Sequence, residues 1–136
     1  MKSSLQAGLS AETTFTIDRE RTIDFMGEAA RVYATPMLVR DLEVACRNLL
    51  LAHLDAGEDS VGTRVEIDHT GATLLGMQVT LAVRVAEVNG RAVVFEVEGR
   101  DAVEPIVRGR HSRFVVDVAK TGQRLAAKAE KARAAA

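Results

Sequence analysis

Cysteine, tryptophan and proline are almost missing from this chain: its 136 residues hold one Cys, no Trp, one Tyr and two Pro. A single cysteine, Cys46, excludes a disulfide framework and fits a reducing, cytoplasmic setting. The three histidines and Cys46 are widely scattered, with no pair at metal-ligand spacing, so no metal is expected. Few aromatics leave few platforms on which bases or sugars could stack. A net charge of −1 lacks the basic excess of a nucleic-acid-binding surface. Local basic patches remain able to hold a phosphorylated ligand. No apolar run approaches the length of a membrane span, and Met1–Gln6 lacks the apolar core of a signal peptide. There is no Gly-rich phosphate loop, and no cofactor is expected.

What is present suits one domain with one core, at 47% hydrophobic and 27% charged residues. Residues 1–12 read as a lead-in, 13–118 as the domain, and 119–136 as an Ala-, Lys- and Arg-rich tail, helical or frayed. Thr13-Thr14-Phe15-Thr16-Ile17 predicts a first strand. Residues 18–34 fit a short helix or a mobile flap equally well. Thr35-Pro36 predicts a helix start, with Thr35 as N-cap and Pro36 at the first helical position. The apolar stripe Leu38, Leu42, Ala45, Leu49 and Ala52, widened by Val39, Cys46 and Leu50, carries that helix to about Leu54.

Gly57 to Ser60 reads as a loop, and Arg64 to His69 alternates as a strand. Met77 to Val88 alternates again, Asn89-Gly90 signals a hairpin, Arg91 to Asp101 returns, and Ile106 to Val118 forms a last strand. One strand, one long apolar helix and four strands joined by tight turns predict an α+β fold. It is an antiparallel sheet of about five strands wrapped around one central helix, the hot-dog arrangement. Five strands leave an exposed edge. Sheet extension across a two-fold into a homodimer would hide it, with a tetramer left open.

Three residues carry the candidate chemistry. Thr35 is a helix cap, or a nucleophile or water-positioning hydroxyl at a helix N-terminus. Glu43 lies eight residues on, about 80° round and roughly 12 Å along the helix, so the two cannot touch on one helix. It reads as a carboxylate buried in the apolar helix: an ion-pair partner of Arg40 or Arg47, or a group sharing one site with Thr35, either across two subunits or with His69 and substrate between them. His69 ends a strand, as a structural residue or as a general base with a near-neutral pKa. On the last strand His111 and Arg113 share one face and Arg108 and Arg110 the other; either pair could hold phosphates or be solvated.

These segments together resemble the fluoroacetyl-CoA-specific thioesterases. Ala34-Thr35 with Glu43 and Ala45-Cys46 is similar to that family's active-site helix. Gly62-Thr63 followed by His69-Thr70-Gly71-Ala72-Thr73 is similar to its His-bearing strand, and Gly109-x-His111-x-Arg113 to a motif on its last strand. The match runs in order over about residues 13–118. The resemblance implies a Thr35–Glu43–His69 set hydrolysing a short acyl-CoA. Gly62 would lie beside the substrate carbonyl, Arg113 would be a polar or CoA-facing residue, and Thr63 and His111 would join them in binding substrate. Two departures stand out. Pro36 replaces the family's Gly after the active-site Thr and removes an amide donor. The aromatic-rich lid is replaced by Glu28-Ala29-Ala30-Arg31, leaving Phe25 and Tyr33. The rival readings are an acyl-CoA-binding protein without turnover and, behind it, a hydratase of the same fold.

Overall fold

The computed structural model describes all 136 residues. In chain order they form β1 (Ser10–Thr16), α1 (Thr35–Leu51), β2 (Glu58–His69), β3 (Gln78–Asn89), β4 (Ala92–Asp101), β5 (Pro105–Asp117) and α2 (Val118–Ala135). All pairings are antiparallel in the order β1-β3-β4-β5-β2. The sheet curls around α1, as the element order predicts. Leu38, Leu42, Cys46 and Leu50 of α1 are buried against Val79, Leu81, Val83 and Val85 of β3 and Val93, Phe95 and Val97 of β4. At roughly 1.5–3 kcal/mol for each large apolar side chain buried, this layer dominates the stabilisation. The β3–β4 hairpin closes on Gly90 and Arg91, with Gly90 at φ +61, where a glycine is needed at the first loop position. No helix is long and apolar enough to cross a membrane.

The structure departs from the expected boundaries in three places and takes the helical alternative for the tail. The first strand starts earlier, at Ser10, because residues 10–16 pair along β3 from Arg84 to Gln78. Residues 58–60 belong to β2 rather than to a loop, since Glu58 to Ser60 pair with Asp117 to Val115. The tail is a helix through Ala135, capped by the Asp117 carboxylate on the Lys120 amide. Thr35 is the first residue of α1 and not its cap; Ala34 holds the N-cap position with no side-chain bond. Residues 18–34 form a flap of two single 3-10 turns, Arg19–Arg21 and Glu28–Ala30. It is tied down by the bridges Thr22 to Tyr33 and Val32 to Leu74.

One irregularity positions the site. The β2–β5 register slips between Gly62 and Arg64, so Thr63 is an extra residue. In a regular strand, residues seven apart face opposite sides. The bulge at Thr63 restores parity, and Gly62 and His69 both face α1.

Candidate functional site

Thr35 and His69 meet. The Thr35 hydroxyl lies 2.7 Å from His69 Nδ1. Because Ala34, and not Thr35, caps α1, this hydroxyl is free of the backbone. In the first turn Pro36 has no N–H, and the amides of Met37 and Leu38 both donate to the Ala34 carbonyl. The Thr35 amide is therefore the one first-turn N–H without a backbone partner. His69 Nε2 is shielded and has no hydrogen-bond partner, the one such buried side-chain atom in the chain. Burial lowers the His69 pKa, with a backbone contact at Gly71 opposing the shift, so the ring is neutral at pH 7. A neutral imidazole beside a hydroxyl can accept its proton.

The pair lies on the floor of an open groove of about 350 Å³. Ile23, Phe25, Met26, Val32 and Tyr33 of the flap line it, with Thr70 to Ala72 opposite. Phe25 and Met26 are largely exposed at its mouth. A larger groove of about 690 Å³ crosses the outer sheet face among Glu66, Asp68, Arg84, Glu96, Arg108 and Arg110, on the opposite side of the sheet from this pair. Arg84 and Arg110 there pair with Glu96, and Arg108 is exposed.

Sequence reasoning missed the group that holds the flap. The buried carboxylate of α1 is Asp41, 9% exposed, whereas the Glu43 side chain is 39% exposed. Asp41 accepts from the Tyr33 hydroxyl at 2.5 Å and from Arg21 Nε at 2.8 Å, with Arg40 at 3.3 Å. Burial alone would raise the Asp41 pKa, but the hydrogen bonds from Arg21 and Tyr33 hold it below the usual carboxylate range. The Tyr33 ring stands edge-on to His69 with centroids 6.3 Å apart, and Phe15 meets its other side at 6.2 Å. The signal was available, because Asp41 falls three residues after Leu38, inside the apolar stripe.

Glu43 belongs to a second cluster. It pairs with neither Arg40 nor Arg47, since Arg40 turns to Asp41 and Arg47 to Asp59. Its Oε1 lies 3.6 Å from Arg113 Nη1 and 3.8 Å from His111 Nε2. Neither is a hydrogen bond, and only the Arg113 contact is an ion pair, because the His111 ring is neutral; the carboxylate lone pairs are left free. Gly62 backs this carboxylate so closely that a Cβ there would sit 2.3 Å from Oε1. His111 and Arg113 are not solvated, as one sequence reading allowed; both are buried on the inner face. Arg113 donates to Ser60 Oγ at 2.7 Å and to the Ser60 carbonyl at 2.8 Å. The Arg64 carbonyl, 2.8 Å from His111 Nδ1, can only accept, so Nδ1 carries the proton and Nε2 accepts from Arg113 at 3.1 Å. Burial lowers the His111 pKa and also lowers that of Arg113, which Glu43 partly restores. Thr63 joins neither cluster; its hydroxyl donates to the Ser112 carbonyl. No hydrogen bond or ion pair links Glu43 to Thr35 or His69 within one chain.

The chain is similar to known proteins in sequence and fold. The family model described as fluoroacetyl-CoA-specific thioesterase matches residues 17–119. The fluoroacetyl-CoA thioesterase of Streptantibioticus cattleyicolor is 30% identical over 127 residues, covering 88% of this chain and 91% of that protein. A variant of the fluoroacetyl-CoA-specific thioesterase, solved with fluoroacetate and CoA, is 30% identical with a TM-score of 0.80. The alignment covers 86% of this chain and 99% of that one. A Thermus thermophilus member of the thioesterase superfamily is 27% identical with a TM-score of 0.88, over 97% and 98% of the two chains.

Proposed function

This chain belongs to the fluoroacetyl-CoA-specific thioesterase family, and from that premise we propose that it hydrolyses a short acyl-CoA thioester to the free acid and CoA. The observation that carries the reading is the Thr35–His69 pair at the floor of an apolar groove. The acyl group lies against Ile23, Phe25 and Val32. His69 takes the Thr35 proton as the hydroxyl attacks the thioester carbonyl, or takes it from a water that Thr35 positions. The thiolate leaves in either case, and water completes the ester route. The carbonyl oxygen needs donors from the free Thr35 amide or the backbone near Gly62.

The acyl specificity is for short chains in general rather than for fluoroacetyl. Pro36 supplies no amide donor. Of the two flap aromatics, Tyr33 is buried and bound to Asp41, leaving only Phe25 at the mouth of the groove.

Glu43 enters the reaction through a homodimer. The edge strand β2 exposes Val61 and Val65, and Val44 of α1 adds a third exposed apolar side chain. Such an edge invites pairing with a second copy. An antiparallel β2–β2 pairing centred near Val65 would bring Gly62 of one chain towards His69 of the partner subunit. The Glu43 cluster of one protomer would then complete the Thr35–His69 half-site of the other.

The test is free-thiol release from a panel of acetyl-, halogenated, branched, aromatic and medium-chain acyl-CoAs, with wild type beside His69→Ala and Glu43→Gln. Hydrolysis of short acyl-CoAs lost in both variants supports the reading. Saturable CoA binding without thiol release from any substrate overturns it in favour of a binding protein.

A further inference from the structure

Helix α2 is exposed along almost its whole length, and the side that borders the strand end is its polar one. A helix that packs beside a sheet ordinarily presents its apolar face. Here Lys120, Gln123, Arg124 and Ala127 face the end of β5, while Val118 and Leu125, on the opposite side, are 52% and 60% exposed. Between α2 and the strand end lies a groove of about 450 Å³, also lined by Arg91 and by Phe114, which is 43% exposed. That volume falls within the range of small-molecule sites.

The charge of the groove is not cancelled locally. The whole chain has net charge −1, yet residues 118–136 carry five cations against the single carboxylate Glu130. The first 117 residues therefore hold 13 basic against 18 acidic side chains. Nearly every arginine of the acidic body has a carboxylate partner; Arg100 and Arg108 are the exceptions. On α2, only Arg133 is paired, with Glu130, and Arg124 reaches no more than the Thr121 hydroxyl at 3.1 Å. Lys120, Arg124, Lys128 and Lys131 recur at spacings of four, four and three. They thus fall within about 80° of one helix face, over roughly 16 Å. The acidic residue in the groove, Asp117, is occupied in capping the Lys120 amide at 2.9 Å. Arg91 is shared between the Val115 carbonyl and Glu58.

We infer that this groove binds a nucleotide bearing more than one phosphate, with the base on Phe114 and the phosphates on Lys120 and Arg124. An exposed aromatic ring beside unpaired cations is what a stacked base with adjacent phosphates requires. Gln123 adds an amide for a base edge or ribose. A solvated basic helix would explain the charges alone. It does not explain why two of them, Lys120 and Arg124, line a groove beside an exposed Phe while the leucine lies on the opposite side. Two sources share this chemistry: the nucleotide end of the acyl-CoA, a case that rests on the proposed function, and a separate free nucleotide.

Adenosine 3′,5′-bisphosphate, titrated calorimetrically into the full-length protein, tests the site without turnover. Saturable binding is expected, weakened at least about tenfold in Lys120→Glu/Arg124→Glu and about tenfold in Phe114→Ala. Lys120→Arg should retain it, and circular dichroism confirms that the exposed substitutions leave the fold intact. Absence of saturable binding, or binding equal in wild type and the charge-reversal variant, overturns the inference. Kinetics then assign the source. A raised KM for acyl-CoA with unchanged kcat, and no change for the matching acyl-pantetheine, identifies the substrate's own nucleotide. Weakened bisphosphate binding with acyl-CoA kinetics unchanged identifies a separate nucleotide. If no thioester is hydrolysed while the bisphosphate binds, the catalytic reading fails and the nucleotide site stands.

Discussion

The Thr35 hydroxyl lies 2.7 Å from His69 Nδ1 and makes no bond to the helix it begins. A capping threonine would spend its oxygen on a backbone amide; this one is available to the imidazole. Thr35→Ala should therefore lower kcat/KM by about 10²-fold or more, as loss of an acid–base-coupled hydroxyl does. The melting temperature should move little, because no cap is lost. Thr35→Ser should keep most activity. A large drop in stability with activity intact would return Thr35 to a structural role.

The pH dependence follows from burial of the same ring. The His69 pKa is lowered chiefly by desolvation. The acid limb of kcat/KM should therefore fall below the ordinary histidine value of about 6.5. Stability follows the same sign. Between the folded and unfolded pKa values the unfolded chain binds more protons. The contribution of neutral His69 and His111 is thus complete above about pH 6.5 and is lost as pH falls through the folded values. An acid limb above pH 7 would contradict this assignment.

Gly62→Ala isolates the second cluster. The added methyl would sit 2.3 Å from Glu43 Oε1 and 3.2 Å from the His111 ring, so the carboxylate must swing away. With Glu43 serving the reaction as proposed, activity should fall by roughly 10- to 100-fold from its misplacement. In a double-mutant cycle Gly62→Ala should add little to Glu43→Gln, since both act on one carboxylate. Additive losses would separate Gly62 from Glu43.

Asp41 carries the flap. Asp41→Asn keeps the shape but removes the charge that Arg21 and Tyr33 bind, and should cost about 2–4 kcal/mol in urea unfolding. The folded Asp41 pKa is depressed, so its stabilisation is present above the unfolded value near 4 and disappears as pH falls through the folded value. The gap between wild type and variant should accordingly narrow below about pH 4. A gap independent of pH would mean that packing, not charge, holds the flap.

How much of this was legible in the sequence depended on whether the signal was periodic. The stripe Leu38, Leu42, Cys46, Leu50 and the alternation Val79 to Val85 announced the helix and the central strands, because burial follows period there. The Gly62-to-His69 spacing, read as strand period, would put the two on opposite faces. Only the bulge at Thr63, which has no periodic signature, brings them to one side. Residues 18–34 resisted reading because their structure depends on long-range partners, Arg21 with Asp41 and Val32 with Leu74, rather than on local propensity. Glu43, read from the sequence as the buried carboxylate of the helix, has a side chain 39% exposed, and its contacts to Arg113 and His111 cross from helix to sheet, where local spacing cannot reach.

Glu43 and the Thr35–His69 pair occupy separate clusters of one chain, and a shared site across a two-fold can be tested by mixing. Thr35→Ala and Glu43→Gln homodimers should each be inactive. If each site takes Thr35 and His69 from one subunit and Glu43 from the other, a mixed dimer holds one site with both defects and one with neither. Co-refolding equal amounts gives half mixed dimers, so activity should recover to about a quarter of wild type. Val65→Glu, placing like charges at the centre of the paired edge, should yield a monomer by light scattering and abolish the recovery. No recovery from a verified mixed dimer would mean that Glu43 works within its own chain, or that it only supports the fold around Gly62.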